Sequence, residues 1–161
     1  MKPLFFESPA EWRRWLAAHH ARESEALVGF YKRASGKPSI TWPASVDEAL
    51  CFGWIDGVRR RIDAQRYSIR FTPRRPGSIW SAVNVRRVAE LARRGRMRRP
   101  GLRAFKARTS AKTAVYSFEQ RKRKPRLPGA YLKRFKANGA AWRFFTTVSY
   151  THLTLPTIYS V

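Results

Sequence analysis

The stretch Trp54-Ile55-Asp56-Gly57-Val58-Arg59-Arg60-Arg61-Ile62, then Asp63-Ala64-Gln65, then Arg66-Tyr67-Ser68-Ile69-Arg70-Phe71-Thr72 decides the fold class. Both flanking runs alternate in the manner of β-strands, and the short polar linker between them predicts an antiparallel hairpin. Upstream, Leu4-Phe5-Phe6 reads as a short edge strand and Ala26–Arg33 (ALVGFYKR) as another strand. Residues 34–38 form a turn, and Ser39–Trp42 a short extended piece.

Helical periodicity fills the spaces between these strands. Ser8-Pro9-Ala10-Glu11 carries an N-cap, a proline at the first helical position and a capping-box acid. Trp12, Trp15, Leu16 and His19 then fall on one face of a helix ending near Arg22. A second helix is expected over Pro43–Leu50, with Ser45 as N-cap, Glu48 at its third position and Gly53 as terminator. A third begins at Ser78 or Ser81 and runs to Arg94, with Val85, Val88, Leu91 and Ala92 inward and Gly95 as its stop. Pro100–Arg108 suits another. Tyr131, Leu132 and Phe135, then Trp142 and Phe145, suggest two short amphipathic helices around Asn138-Gly139. Runs of helices beside a hairpin-built sheet define an α+β class: a small, mostly antiparallel sheet with packed helices on one side.

Composition sets outer bounds. The chain has 161 residues, 43% of them apolar, which supplies a core and excludes disorder on composition. No apolar run reaches the roughly 20 residues a membrane-spanning helix needs, so no transmembrane segment is expected. Glu7 and Glu11 interrupt the N-terminal region before a secretory h-region forms. A lone cysteine, Cys51, in an apolar context points to a reducing compartment, the cytoplasm, and to a core role.

Charge dominates the composition. Thirty-four basic residues face ten acidic ones, a net +24, and only Glu90 and Glu119 lie beyond Asp63. Such a field attracts polyanions, and non-specific nucleic acid is the natural partner. The outer face of the third helix offers Arg86, Arg87, Arg93 and Arg94 as phosphate contacts. The tract Arg93–Arg108 extends this charge, with Phe105 available to stack on bases. A solvated basic face of purely compositional origin fits the same charge.

Local chemistry is sparse. Three histidines and one cysteine make no metal site, since His19 and His20 point about 100° apart on a helix and neither CxxC nor HExxH occurs. No phosphate-cradling glycine loop and no nucleophile elbow is present, so no cofactor is implied and catalytic residues are unassigned.

Two segments stand out: Asp47-Glu48-Ala49-Leu50-Cys51-Phe52-Gly53-Trp54-Ile55-Asp56-Gly57, and Arg70-Phe71-Thr72-Pro73-Arg74-Arg75-Pro76-Gly77-Ser78-Ile79-Trp80-Ser81-Ala82-Val83-Asn84. Together they resemble the D-E-A-L-x-x-G-W-I-D-G and R-F-x-P-R-x-x-x-S-x-W-S-x-x-N blocks of the YdeI/OmpD-associated, or bacteriocin-protection, family. The resemblance extends from Trp12-Arg13-Arg14-Trp15-Leu16 to Ala141-Trp142-Arg143-Phe144-Phe145. It implies a role in bacteriocin, antimicrobial-peptide or stress tolerance through a protein partner, with a porin association and an envelope setting. A +24 surface repels cationic peptides, which argues against their direct sequestration.

Physically, the two blocks suggest a concave pocket for a small anion or an enzyme substrate, built from Asp56, Arg70, Arg74, Trp80, Ser81 and Asn84. The helix start at Ser78 and Ser81 would add free N–H groups. A purely structural alternative uses the same residues: Asp47 and Asp56 pairing with Arg70 and Arg74, Ser81 as a cap, Asn84 tying a loop, Trp54 and Trp80 as core.

Family members continue into a helical module with a W-[IV]-x-x-A-K-x-x-x-T-R-x-x-R pattern, which is missing here. Val148–Thr157 (VSYTHLTLPT) instead resembles the translation of a transposon-end sequencing adapter, whose preceding bases complete the Thr147 codon. A barcode would supply Ile158, Tyr159 and Ser160, and the constant sequence Val161 and a stop. The expected organisation is therefore a YdeI-like α+β domain over 1–120, the start of a truncated helical module over 121–146, and adapter-derived sequence over 147–161. On that reading His152 carries no function.

Overall fold

The computed structural model describes residues 2–116 and 129–152, with side chains of the last helix described to Thr147. The chain divides into two compact units, Met1–Arg121 and Lys122–Val161. The charge run 121–126 and residues 153–161 of the adapter-like tail lie outside the described residues.

The first unit is an α+β fold. Its strands are β1 (Leu4–Phe5), β2 (Ala26–Tyr31), β3 (Trp54–Arg61) and β4 (Arg66–Pro73). Their order in the sheet is β1-β2-β4-β3, with β1 parallel to β2 and the other two pairings antiparallel. The hairpin forms as the alternation predicts. Trp54 lies opposite Pro73 and Asp56 opposite Phe71, and a register shift between Asp56 and Arg59 bends the edge strand. Asp63 closes the turn by accepting the Gln65 and Arg66 backbone N–H groups at 2.8 and 2.7 Å.

Helices α1 (Pro9–His19), α2 (Trp42–Cys51), α3 (Ala82–Arg93) and α4 (Arg99–Lys106) complete this unit. Ser8 caps α1 through the Glu11 N–H, as its sequence predicts. α2 starts earlier than expected. Thr41 is its cap, accepting from the Ala44 N–H, and Trp42 belongs to the helix, not to an extended piece. The Pro43 ring fits the first turn, where its missing N–H has no partner to lose. Ser45 is then free to bury completely, its carbonyl accepting the Trp12 indole N–H at 3.0 Å. Ser81 caps α3, and Ala92, expected inward, is exposed while Val88 and Leu91 are buried.

One core unites these elements: Trp12 and Leu16 of α1, Val28 and Phe30 of β2, Ile69 and Phe71 of β4, with Leu50, Trp54 and Trp80. α4 sits directly on the end of α2. The Cys51 carbonyl, one of the orphan acceptors of that helix end, takes the Arg98 N–H at 3.0 Å. A Cβ on Gly101 would stand 2.3 Å from the same oxygen, so only glycine permits this approach.

A buried charge locks α1, α2 and the turn after α3 together. Glu48 is 1% exposed, and its carboxylate receives Arg13 at 2.7 Å on one oxygen and Arg96 on the other. Arg13 also donates to the Arg96 carbonyl at 2.7 Å. Cys51 is fully buried beside this cluster, and burial holds its thiol above the ordinary range, which disfavours a nucleophilic thiolate.

The second unit contains α5 (Gly129–Ala137) and α6 (Gly139–His152), the two helices expected around Asn138. Asn138 receives the Ala141 N–H on its side-chain oxygen, and Phe135, Trp142 and Phe145 pack ring against ring.

Candidate functional site

Where β3 begins and β4 ends, the backbone N–H of Arg74 donates to the Gly53 carbonyl at 2.9 Å and ties the two sequence blocks together. Gly53 adopts φ +77°, and a Cβ there would lie 2.9 Å from the Pro100 carbonyl, which brings α4 close to this junction. The segment 110–114 runs behind Trp80, giving it a carbonyl from Lys112 and taking one for the Ala114 N–H, at 2.9 and 2.8 Å. A cleft of about 440 Å³ opens between these walls.

Arg74 and Arg75 from the β4–α3 connection and Arg103 from α4 line it with positive charge, beside His20 from the end of α1. None of the lining residues is a carboxylate. The guanidinium of Arg74 lies 3.7 Å over the Trp80 ring and donates to the Ile79 carbonyl at 3.1 Å. Desolvation by burial lowers its pKa to about 10, with Tyr116 and Asp56 acting in the opposite sense. Arg74 therefore stays protonated at neutral pH and carries a partly desolvated charge. Its Nε and the Ser78 hydroxyl are buried without hydrogen-bond partners. His20 Nδ1 donates to the Leu16 carbonyl at 2.8 Å.

The residues expected to form one pocket are only partly gathered here. Arg74 and Trp80 line the cleft. Asp56 receives the Trp42 indole N–H at 2.9 Å on the edge strand, and Asp47 pairs with Arg87, so neither carboxylate pairs with Arg70 or Arg74. Arg70 is exposed and faces Glu25 at 3.4 Å. Ser81 uses its hydroxyl to accept the Asn84 backbone N–H, so both belong to the cap of α3. Asp56 is drawn instead to the start of α2, where Trp42 holds it.

The phosphate contacts expected on α3 also divide. Arg87 is engaged by Asp47 through two nitrogens and by Glu90, and these carboxylates, Asp47 first, raise its guanidinium further above the usual value. Arg94 pairs with Glu90 at 2.7 Å. Arg86 and Arg93 are exposed, and neither makes an ion pair within 4.0 Å among the described residues, although Glu90 lies near Arg93. Phe105 is not a free stacking platform. It packs edge-on against Trp80 and is covered by Arg108 at 3.7 Å.

Arg103 and His20 escaped the sequence reading because α4 and the end of α1 reach the cleft only through tertiary packing. A signal was present in the run 91–116, which has nine basic residues and no acid, broken by the small residues Gly101 and Ala104 that face α2 and Gly53.

These features define a small α+β domain with a basic, partly aromatic cleft at one end of its sheet. Over residues 4–104 the chain matches the family described as Domain of unknown function (DUF8412), and it belongs to that family. No curated protein and no solved structure matches the chain. Among the described residues no helix is long and apolar enough to cross a membrane, and no cluster of metal-ligating side chains occurs.

Proposed function

We propose that this domain is a nucleic-acid-binding module that contacts phosphates with little sequence preference. The observation that carries the reading is the exposed cation series Arg93, Arg98, Arg99, Arg103 and Lys106, which has no ion-pair partner among the described residues. Each such charge releases a condensed counterion when it meets a phosphate, and that release drives affinity. Phe105 is occupied by Trp80 and Arg108, and phosphate contacts carry no sequence information of their own, so discrimination between sequences is weak.

Fluorescence anisotropy with labelled mixed-sequence duplexes tests this reading. About five contacts give a slope near −4.5 for log K against log salt between roughly 50 and 200 mM, and Arg99→Gln with Lys106→Gln lowers its magnitude by about 2. A flat salt response refutes the reading.

A second reading follows from the resemblance of the two blocks to the bacteriocin-protection family. What supports it is their adjacency, the Arg74–Gly53 bond joining one block to the other. Its test is survival of expressing cells under bacteriocin challenge with the Arg74→Ala variant as comparison, since equal protection by both removes the cleft from that role. The truncated organisation and adapter-derived tail belong to the same proposal, and sequencing the intact gene past Thr146 checks them.

A further inference from the structure

Six arginines elsewhere in this domain are neutralised locally. Arg13, Arg66, Arg70, Arg87, Arg94 and Arg96 each face a carboxylate oxygen. Arg74, Arg75 and Arg103 instead converge with His20 on one concavity that has no acid in its wall. Cations held together this way repel one another, and the repulsion grows as water is excluded. Arg74 is fixed in place by neutral groups, the Trp80 face and the Ile79 carbonyl. A further cation sits at the rim, where Lys112 Nζ lies 3.7 Å from the position a Cβ on Gly77 would take. The arrangement is a positioned receptor for negative charge, and the orphaned Arg74 Nε and Ser78 hydroxyl add donors behind it.

The chemistry of the anion follows from the lining. Three guanidiniums match the three terminal oxygens and double charge of a phosphomonoester better than the two oxygens of a carboxylate. A volume of about 440 Å³ exceeds what a bare phosphate fills, and Pro73, Pro76, Pro100, Ala104 and Ala107 supply an apolar wall for an organic body. We infer that the cleft binds a phosphomonoester of nucleotide size, with its phosphate among Arg74, Arg75 and Arg103 and its organic part against the proline and alanine wall. The ligand is a free mononucleotide or the 5′-phosphate end of a nucleic acid, and the site shares only Arg103 with the duplex-binding surface proposed above.

Calorimetric titration of the full chain in about 150 mM salt, where surface charge is screened within about 8 Å, tests the inference. Adenosine 5′-monophosphate should bind saturably at one per chain, inorganic phosphate more weakly, and adenosine not at all. Arg75→Gln and Arg103→Gln, both at exposed positions, should each weaken the mononucleotide about tenfold, the loss of one charge-assisted hydrogen bond. Arg86→Gln on α3 should leave it unchanged. A 5′-phosphorylated tetranucleotide that outcompetes the mononucleotide identifies a polymer end as the ligand, and the reverse order identifies the free nucleotide. Equal binding of adenosine and its monophosphate overturns the inference, as does an affinity indifferent to Arg75 and Arg103 or equally sensitive to Arg86. Failure here leaves the salt-dependent duplex binding untouched, and loss of duplex binding leaves this site standing.

Discussion

Replacing Glu48 by glutamine removes one charge and almost no volume, which isolates the electrostatic part of the α1–α2 junction. The carboxylate is 1% exposed and divides its two oxygens between Arg13 and Arg96. An amide keeps one acceptor oxygen and turns an NH₂ toward the second guanidinium, so one bond is lost and the other becomes a weaker neutral acceptor. Breaking a buried ion pair by removing one partner costs about 3–5 kcal/mol. The side chain of Arg96 is 43% exposed and regains water, and Arg13 keeps the Arg96 carbonyl, so the lower end applies, about 3 kcal/mol. For a domain of roughly 115 residues, an unfolding entropy of about 2.1 cal/mol/K per residue converts this to a fall of about 12 °C in Tm. Circular-dichroism melts at neutral pH measure it, and the deficit should persist in about 1 M salt because a dry pair is poorly screened. A companion variant, Arg13→Met with Glu48→Leu, removes the two less exposed charges of the three, leaves the half-exposed Arg96 to water, and should recover much of the loss. A Glu48→Gln melt within about 2 °C of the parent, or a deficit that salt abolishes, refutes the claim that a desolvated carboxylate joins these elements.

Gly101→Ala should destabilise the domain by about 2–3 kcal/mol, since its Cβ meets the backbone oxygens of Cys51 and Leu50 at 2.3 and 2.6 Å and α4 must back away. Thermal melts read this, and weaker mononucleotide binding should accompany it because Arg103 moves with the helix. Ser81→Ala removes the acceptor of the Asn84 N–H and should cost about 1 kcal/mol in denaturant unfolding, with m unchanged. Asp63 is held below the usual carboxylate range, chiefly by the Arg66 side chain. Its folded pKa is depressed, so its stabilisation is fully present above the unfolded value of about 3.9 and is lost as pH falls through the lower folded one. The Tm gap between the parent and Asp63→Ala should therefore be constant near neutrality and shrink only below about pH 4. A gap that widens in acid contradicts this.

What the sequence revealed and what it concealed follow one physical division. The β3–β4 hairpin, the cap of α1 by Ser8 and the cap of α3 by Ser81 are local, each set by residues within a turn of one another. The start of α2 was misplaced because Thr41 and Ser45 are both competent caps, and only the packing of Trp12 over the Ser45 carbonyl chooses between them. Glu48 looked like a capping-box acid. Its true partners are 35 and 48 residues away in sequence, beyond the reach of any local pattern. At the site, Arg74 and Trp80 were legible because they are six residues apart in one unusual block. Arg103 and His20 were not, because one depends on α4 docking through Gly101 and the other on the end of α1 reaching Phe52.

The partition of arginines bears on whether +24 is a compositional accident. Charge from base composition alone would scatter, and the ten acids would neutralise whichever cations lay nearest. None of the described acids lines the cleft: Glu48 takes Arg13 and Arg96, Asp47 takes Arg87, and Glu90 takes Arg87 and Arg94. Asp56, the acid felt by Arg74, is bound by Trp42. A desolvated, unpaired guanidinium is costly to the folded state, and replacing Pro73 or Ile79 by an acid would relieve it through a single substitution. Keeping Arg74 unneutralised thus gives up stability at one defined place. Stability surrendered at a cleft is the pattern expected where an anion, not a side chain, supplies the missing charge.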